Sequence, residues 1–250
     1  MPDVITNGYG GGSCPSEGAE REALAAYFLT APPAARQDAA QRARHRAALR
    51  RLLRLENHAV LQSAGLPRLL AGGNLAGLLR AVLEASLEAV RLFREEEDAP
   101  GLSRFSIHLD PRFPVRQYAG FEPRLLQMAA TGLIRAVLAA NRGGAATASL
   151  YAGRHTFVFA VSGDRPPDEP EALAVAKEAA RLHHGCLAVC ETTIGLSISH
   201  SLPPDIGRIF VPGAHELLRD PLSPVQIGLY SSLDGGDGVS PAADGDSHNR

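Results

Sequence analysis

The chain has 250 residues, is 45% hydrophobic and 21% charged, and carries a formal net charge of −2. That is the make-up of one or two ordinary globular domains, and it gives no electrostatic reason to expect a nucleic acid or an anionic membrane as partner. No run approaches the ~20 apolar residues of a membrane-spanning helix, and residues 1–20 lack a basic-then-apolar signal, so a cytoplasmic location and no membrane insertion are expected. The three cysteines, Cys14, Cys186 and Cys190, make no disulfide framework.

Residues 1–18 form a Gly/Ser-rich leader, expected to be disordered. A helical pattern begins at Ala19 and breaks at Pro32-Pro33. A long helix is predicted from Ala34 to Ser63, with Leu49, Leu52, Leu53, Val60 and Leu61 at helical spacing. Gly65-Leu66-Pro67 and Gly72-Gly73 interrupt it, and Asn74 is a fitting N-cap for a second helix from Leu75 to Arg94. Two helices with a short connection predict an antiparallel hairpin over residues 19–100. Neither could bury its apolar stripe against one partner, so a four-helix bundle of two copies is expected.

Arg104–Leu109 alternates as a strand, Asp110-Pro111 turns, and Val115–Tyr118 reads as a short strand. A helix then runs from Phe121 to Asn141. Strand-like runs follow at Ala145–Ala152 and His155–Ser162, then a helix ending at Gly185, then strands at Cys186–Glu191 and Ile194–Leu202. Two further short strands are predicted at Arg208–Pro212 and Val225–Leu229, and residues 233–250 as a disordered tail. Helix, two strands, helix, two strands predicts a two-layer α/β sandwich over residues 101–232, and an α+β chain overall.

Three segments carry a family resemblance: Glu122-Pro123-Arg124-Leu125-Leu126-Gln127, Ala176-Lys177 through His184-Gly185, and Leu202-Pro203. Their wording resembles the ATP-binding domain of sensor histidine kinases, of the GHKL ATPase superfamily, over about half the chain. The resemblance implies a GHKL-type sandwich, a dimerising helical hairpin, a place in two-component signalling, and a response regulator or partner histidine kinase as binding partner.

The catalytic positions depart from that pattern. Where the family carries paired Asn residues for Mg²⁺-ATP, the register gives Thr131 and Arg135. A guanidinium has only donors and cannot ligate a metal. Where the family has an adenine-reading Asp followed by glycines, this chain reads Ser162-Gly163-Asp164-Arg165-Pro166, with Asp164 one place late. The glycines at the start of the last helix are replaced by Pro170 and Ala172, with Glu171 between them. These losses predict a degenerate ATP site and no cofactor, with ATP and Mg²⁺ expected only if the site is residually active. The candidate phosphoacceptors are His45 and His58, and neither has an acid beside it in sequence. Zinc is not expected at Cys186 and Cys190, which lie ~13 Å apart on one strand. Two readings follow: a pseudokinase acting by protein–protein interaction, or a histidine phosphotransferase or residual histidine kinase passing phosphate to a response regulator.

Overall fold

The structure is a computed structural model that describes residues 16–30, 39–97, 104–167 and 169–231. Most of the expected leader and all of the expected tail lie outside these residues.

The sandwich is built on a five-stranded sheet of order β2-β4-β5-β7-β6. Its members are β2 (Arg104–Leu109), β4 (Ala145–Ala152), β5 (Thr156–Gly163), β6 (Leu187–Cys190) and β7 (Thr193–Ser199). β2 runs parallel to β4 and the remaining pairs are antiparallel. Alternation in the sequence sends Ala146, Ala148, Leu150, Phe157, Phe159, Val161, Ile194, Leu196 and Ile198 to one face, where all are buried. On that face lie α3 (Leu75–Glu97), α4 (Pro123–Ala140) and α5 (Pro170–Leu182). A second, three-stranded sheet orders β3 (Tyr118–Phe121), β1 (Ala71–Asn74) and β8 (Ile206–Arg208).

A third layer covers the helices. It contains α1 (Glu17–Thr30), α2 (Ala39–Gln62), α6 (Ala214–Arg219) and α7 (Pro224–Tyr230). An antiparallel helical hairpin is present, but its members are α1 and α2. Glu17 meets His58, Glu20 meets Arg51, and Phe28 packs edge-on against His45, in reversed order along the two helices.

The expected hairpin between α2 and α3 is therefore corrected. α3 packs on α4, α6, α7, β2 and β3, within the sandwich. Asn74 does cap it, its Oδ1 accepting from Gly77 N at 3.1 Å. The apolar stripe of α2, on which an intersubunit bundle was expected, is spent within the chain: Leu49 and Leu52 are buried with Phe28 and Ile227. The Val225–Leu229 segment is corrected from strand to helix. Ser223 accepts from Gln226 N at 3.2 Å and Pro224 takes the first helical position, so capping overrides the β-branched run. The strand predicted at Val115–Tyr118 falls instead at β3, and that at Arg208–Pro212 at β8. Among the described residues no helix is long and apolar enough to cross a membrane.

His183 pins the end of α5 to the start of α4. It is fully buried. Its Nδ1 lies 2.7 Å from Ala179 O, which can only accept, so Nδ1 carries the proton. Nε2 accepts from Glu122 N at 3.0 Å. Burial drives its pKa down to about 4, against an opposing contribution from the Ala179 bond. The unfolded chain takes up this proton near its ordinary value of about 6.5, whereas the folded chain resists it. The contribution of His183 is thus complete above that value and is lost as pH falls toward 4. Urea denaturation across this window is expected to lose up to about 3 kcal/mol from this group, and His183→Gln is expected to flatten that part of the profile.

Candidate functional site

The site forms on the face of α4 turned away from the sheet. Every residue from Leu125 to Leu138 is buried, a pattern that requires cover on both sides of the helix. Gln127, Thr131 and Arg135 recur every four residues and so share one face. Of that stripe, Thr131 and Arg135 lie beneath residues of α7 and α2. Glu56 of α2 pairs with Arg124 at 3.1 Å, and Asn57 reaches Glu171 of α5 at 3.4 Å.

Thr131 meets α7 at Gly228. A Cβ on Gly228 would stand 2.7 Å from Thr131 Cγ2, so glycine is what lets the helices approach this closely. Thr131 is 1% exposed and its Oγ1 has no partner. The remaining space at this contact is about 20 Å³, room for one water, lined by Asn57, Met128, Thr131, Arg135 and Ile227.

Arg135 is 7% exposed and pairs with Glu169 at 2.6 Å. Its Nε has no partner. Burial raises the Glu169 pKa, and the Arg135 charge opposes that rise without cancelling it. The short ion pair and the raised pKa pull in opposite directions, and desolvation prevails. Beyond the pair, a solvent-open cleft of about 520 Å³ is lined by Arg50, Leu53, Arg54, Glu169, Pro170 and Glu171.

Asp164 does not face this cleft as a base-reading group. Its Oδ2 accepts from Ala145 N at 3.2 Å, closing the turn onto β4. Its neighbour Gly163 lies against Asn141, whose Nδ2 would be 2.3 Å from a Cβ at that position. Asn141 is 3% exposed, and its Oδ1 accepts from the backbone N–H groups of Asp164 and Arg165 at 2.6 and 2.7 Å. Sequence reasoning missed Asn141, although an Asn just past a helix end was a signal for a cap.

The two candidate histidines sit on α2, apart from Thr131 and Arg135. His45 is half-buried against Tyr27 and Phe28, and its Nδ1 has no partner. Burial lowers its pKa, and the neighbouring Arg46 charge adds to the effect. His58 is exposed, with Nδ1 3.0 Å from Glu17 Oε2 and Nε2 3.3 Å from Gln62 Nε2. The acid missing beside His58 in sequence thus comes from α1, 41 positions away. Cys186 and Cys190 are exposed free thiols, and no group of three metal-ligating side chains occurs among the described residues.

No family model and no curated protein sequence matches the chain. Solved structures similar to it include histidine kinases. The kinase AdeS of Acinetobacter baumannii is 13% identical, with 74% of this chain and 95% of that chain covered and a TM-score of 0.49. A histidine kinase of Burkholderia phymatum is 17% identical, covering 74% and 96%, with a TM-score of 0.40. The catalytic domain of the histidine kinase ThkA is 12% identical, covering 53% and 98%, with a TM-score of 0.41. These are similarities at low TM-score, and the architecture rests on the strand order and layers described above.

The α4–α7 contact has a direct test. Gly228→Ala is expected to destabilise the fold by about 1–3 kcal/mol through overpacking. Thr131→Ser, which removes the opposing methyl, should recover part of that loss in the double variant, read by chemical denaturation.

Proposed function

We propose that this chain is a two-component signalling protein of histidine-kinase architecture that acts through protein–protein contacts and has lost useful binding of Mg²⁺-ATP. The observation that carries the reading is the burial of Thr131 and Arg135 beneath α7 and beside Glu169. The residues present fit a Mg²⁺-nucleotide poorly. Arg135 puts a guanidinium where the resemblance places a metal-holding Asn, and that charge is already engaged by Glu169. Asn141 fills the space that a side chain at position 163 would need. Pro170 and Glu171 stand where a flexible, uncharged phosphate loop is called for. Calorimetric titration with Mg²⁺-ATP is expected to give no binding in the micromolar range. Micromolar affinity that is abolished by Arg135→Ala would overturn the reading.

A second reading, phosphotransfer, is favoured by the Glu17–His58 pair. A carboxylate accepting from Nδ1–H leaves the Nε2 lone pair as the nucleophile an acceptor histidine needs, once the Gln62 amide that donates to it at 3.3 Å swings away. Phosphoryl transfer from a receiver-domain acyl phosphate would form the N–P bond at Nε2, break the acyl P–O bond, and return the aspartate as carboxylate. Both groups are exposed, so the pair orients the ring only weakly. Low yield of acid-labile label is therefore expected with phosphorylated receiver domains. Efficient labelling lost in His58→Ala and reduced in Glu17→Ala, with His45→Ala unaffected, would make phosphotransfer the function.

A further inference from the structure

We propose that the outer edge of β6 is an interface for a second copy of this chain, paired antiparallel about a twofold axis at Ala188. β6 is the last strand of the large sheet, and Ala188, Val189 and Cys190 are all exposed. Its sequence, Leu187-Ala188-Val189-Cys190, contains no charge and no proline, two of the devices that ordinarily protect a sheet edge, and relies on its shortness alone. The opposite edge, β2, carries Arg104 and His108.

The register follows from the hydrogen-bond phase. Cys186 O accepts from Ser197 N at 2.8 Å, so Cys186 bonds inward to β7. Alternation then turns the backbone groups of Ala188 and Cys190 inward as well, and those of Leu187 and Val189 outward. A twofold axis at Ala188 sets Leu187 of each copy opposite Val189 of the other. All four outward N–H and C=O groups of each copy find partners in that arrangement. Leu187 and Val189 also meet as apolar cross-strand pairs on the inner face.

The same register places Cys186 of one copy opposite Cys190 of the other, twice. Both thiols are exposed and point to the face away from the helices. Residues opposite each other in a non-hydrogen-bonded antiparallel pair have Cα atoms ~4.5 Å apart, within the range a disulfide spans. Within one chain the two cysteines lie ~13 Å apart along the strand and cannot be joined while β6 persists. One edge of about five residues makes a small, reversible interface, and the thiols offer a way to trap it.

The test uses the full chain with Cys14→Ser and oxidised glutathione at micromolar protein. One cysteine displaces glutathione from the disulfide, and the facing cysteine then displaces the second glutathione, so two thiols become one disulfide and the oxidant yields two glutathione thiols. The expected product is a non-reducing dimer whose mass-mapped link joins Cys186 to Cys190. Val189→Lys, at a half-exposed position, is expected to slow its formation at least about tenfold. Ala188→Glu, which opposes like charges on the axis, should do the same, so the test survives if one variant folds poorly. Links scattered among Cys186–Cys186 and Cys190–Cys190 pairs, rates unchanged in both variants, or no dimer would each overturn the proposal.

Discussion

The structure depends on the enclosure of α4. A helix with a polar stripe of Gln127, Thr131 and Arg135 would ordinarily keep that stripe in water. Here the sheet takes one side of α4 and α7 takes the other, with α2 reaching α4 through the Glu56–Arg124 pair. Enclosure puts a demand on these polar groups that is met only in part, since Thr131 Oγ1 and Arg135 Nε find no partner. The Arg135 charge is met by Glu169 at the entry to α5. Glu169 carries a cost for this, visible in its raised pKa, and removing either partner would leave the other charge buried alone. Thr131 is accommodated by a glycine on the opposing helix. The contact between α4 and α7 thus fixes the composition of three elements together.

The hairpin layer follows from the same contact. Ile227 of α7 joins Phe28, Leu49 and Leu52, so α7 holds the hairpin on one side and α4 on the other. Polar ties reinforce the seat. Glu56 reaches Arg124, Asn57 reaches Glu171, and Gly65 N donates to Glu178 on α5 at 3.1 Å. A hairpin held this way presents its solvent-facing side, with Glu17 and His58, on a fixed platform.

Much of the sandwich was legible in the sequence. β5 and β7 each bury one face only, β2 alternates between exposed and half-buried positions, and period-two alternation reports that directly. The Glu122-Pro123 start of α4 was legible too, because Glu122 caps the N–H of Leu125. β1 was not, since Ala71-Gly72-Gly73-Asn74 has no side-chain pattern and becomes a strand only through β3 and β8. The α3 stripe was seen, but a stripe does not name its partner, and the neighbour in sequence was the wrong one. Register singles out Thr131, Arg135 and Gly163 as candidate positions. What covers them comes from far along the chain: Gly228 on Thr131, Glu169 on Arg135, Asn141 on Gly163. Local sequence carries no record of such pairings. The Glu17–His58 pair was hidden for the same reason.

The depth of α7 sets a scale for any ligand that would enter between it and α4. Val225, Ile227 and Leu229 are each at most 2% exposed. Re-exposing three such side chains costs about 5–9 kcal/mol at about 1.5–3 kcal/mol each, an upper figure, since a displaced segment stays partly compact. A ligand with micromolar intrinsic affinity brings only about 8 kcal/mol. Spent on opening the helix, that energy leaves little or none for net binding, before the engagement of Arg135 by Glu169 is considered. A ligand of this kind therefore acts only through a state in which α7 is already displaced, and its apparent affinity falls in proportion to the rarity of that state. The burial of Thr131 and Arg135 and the closure of the pocket by α7 are thus consistent with the proposed reading. The apolar side chains of α7 that fill this space stabilise the closed arrangement, and that stability works against its reopening.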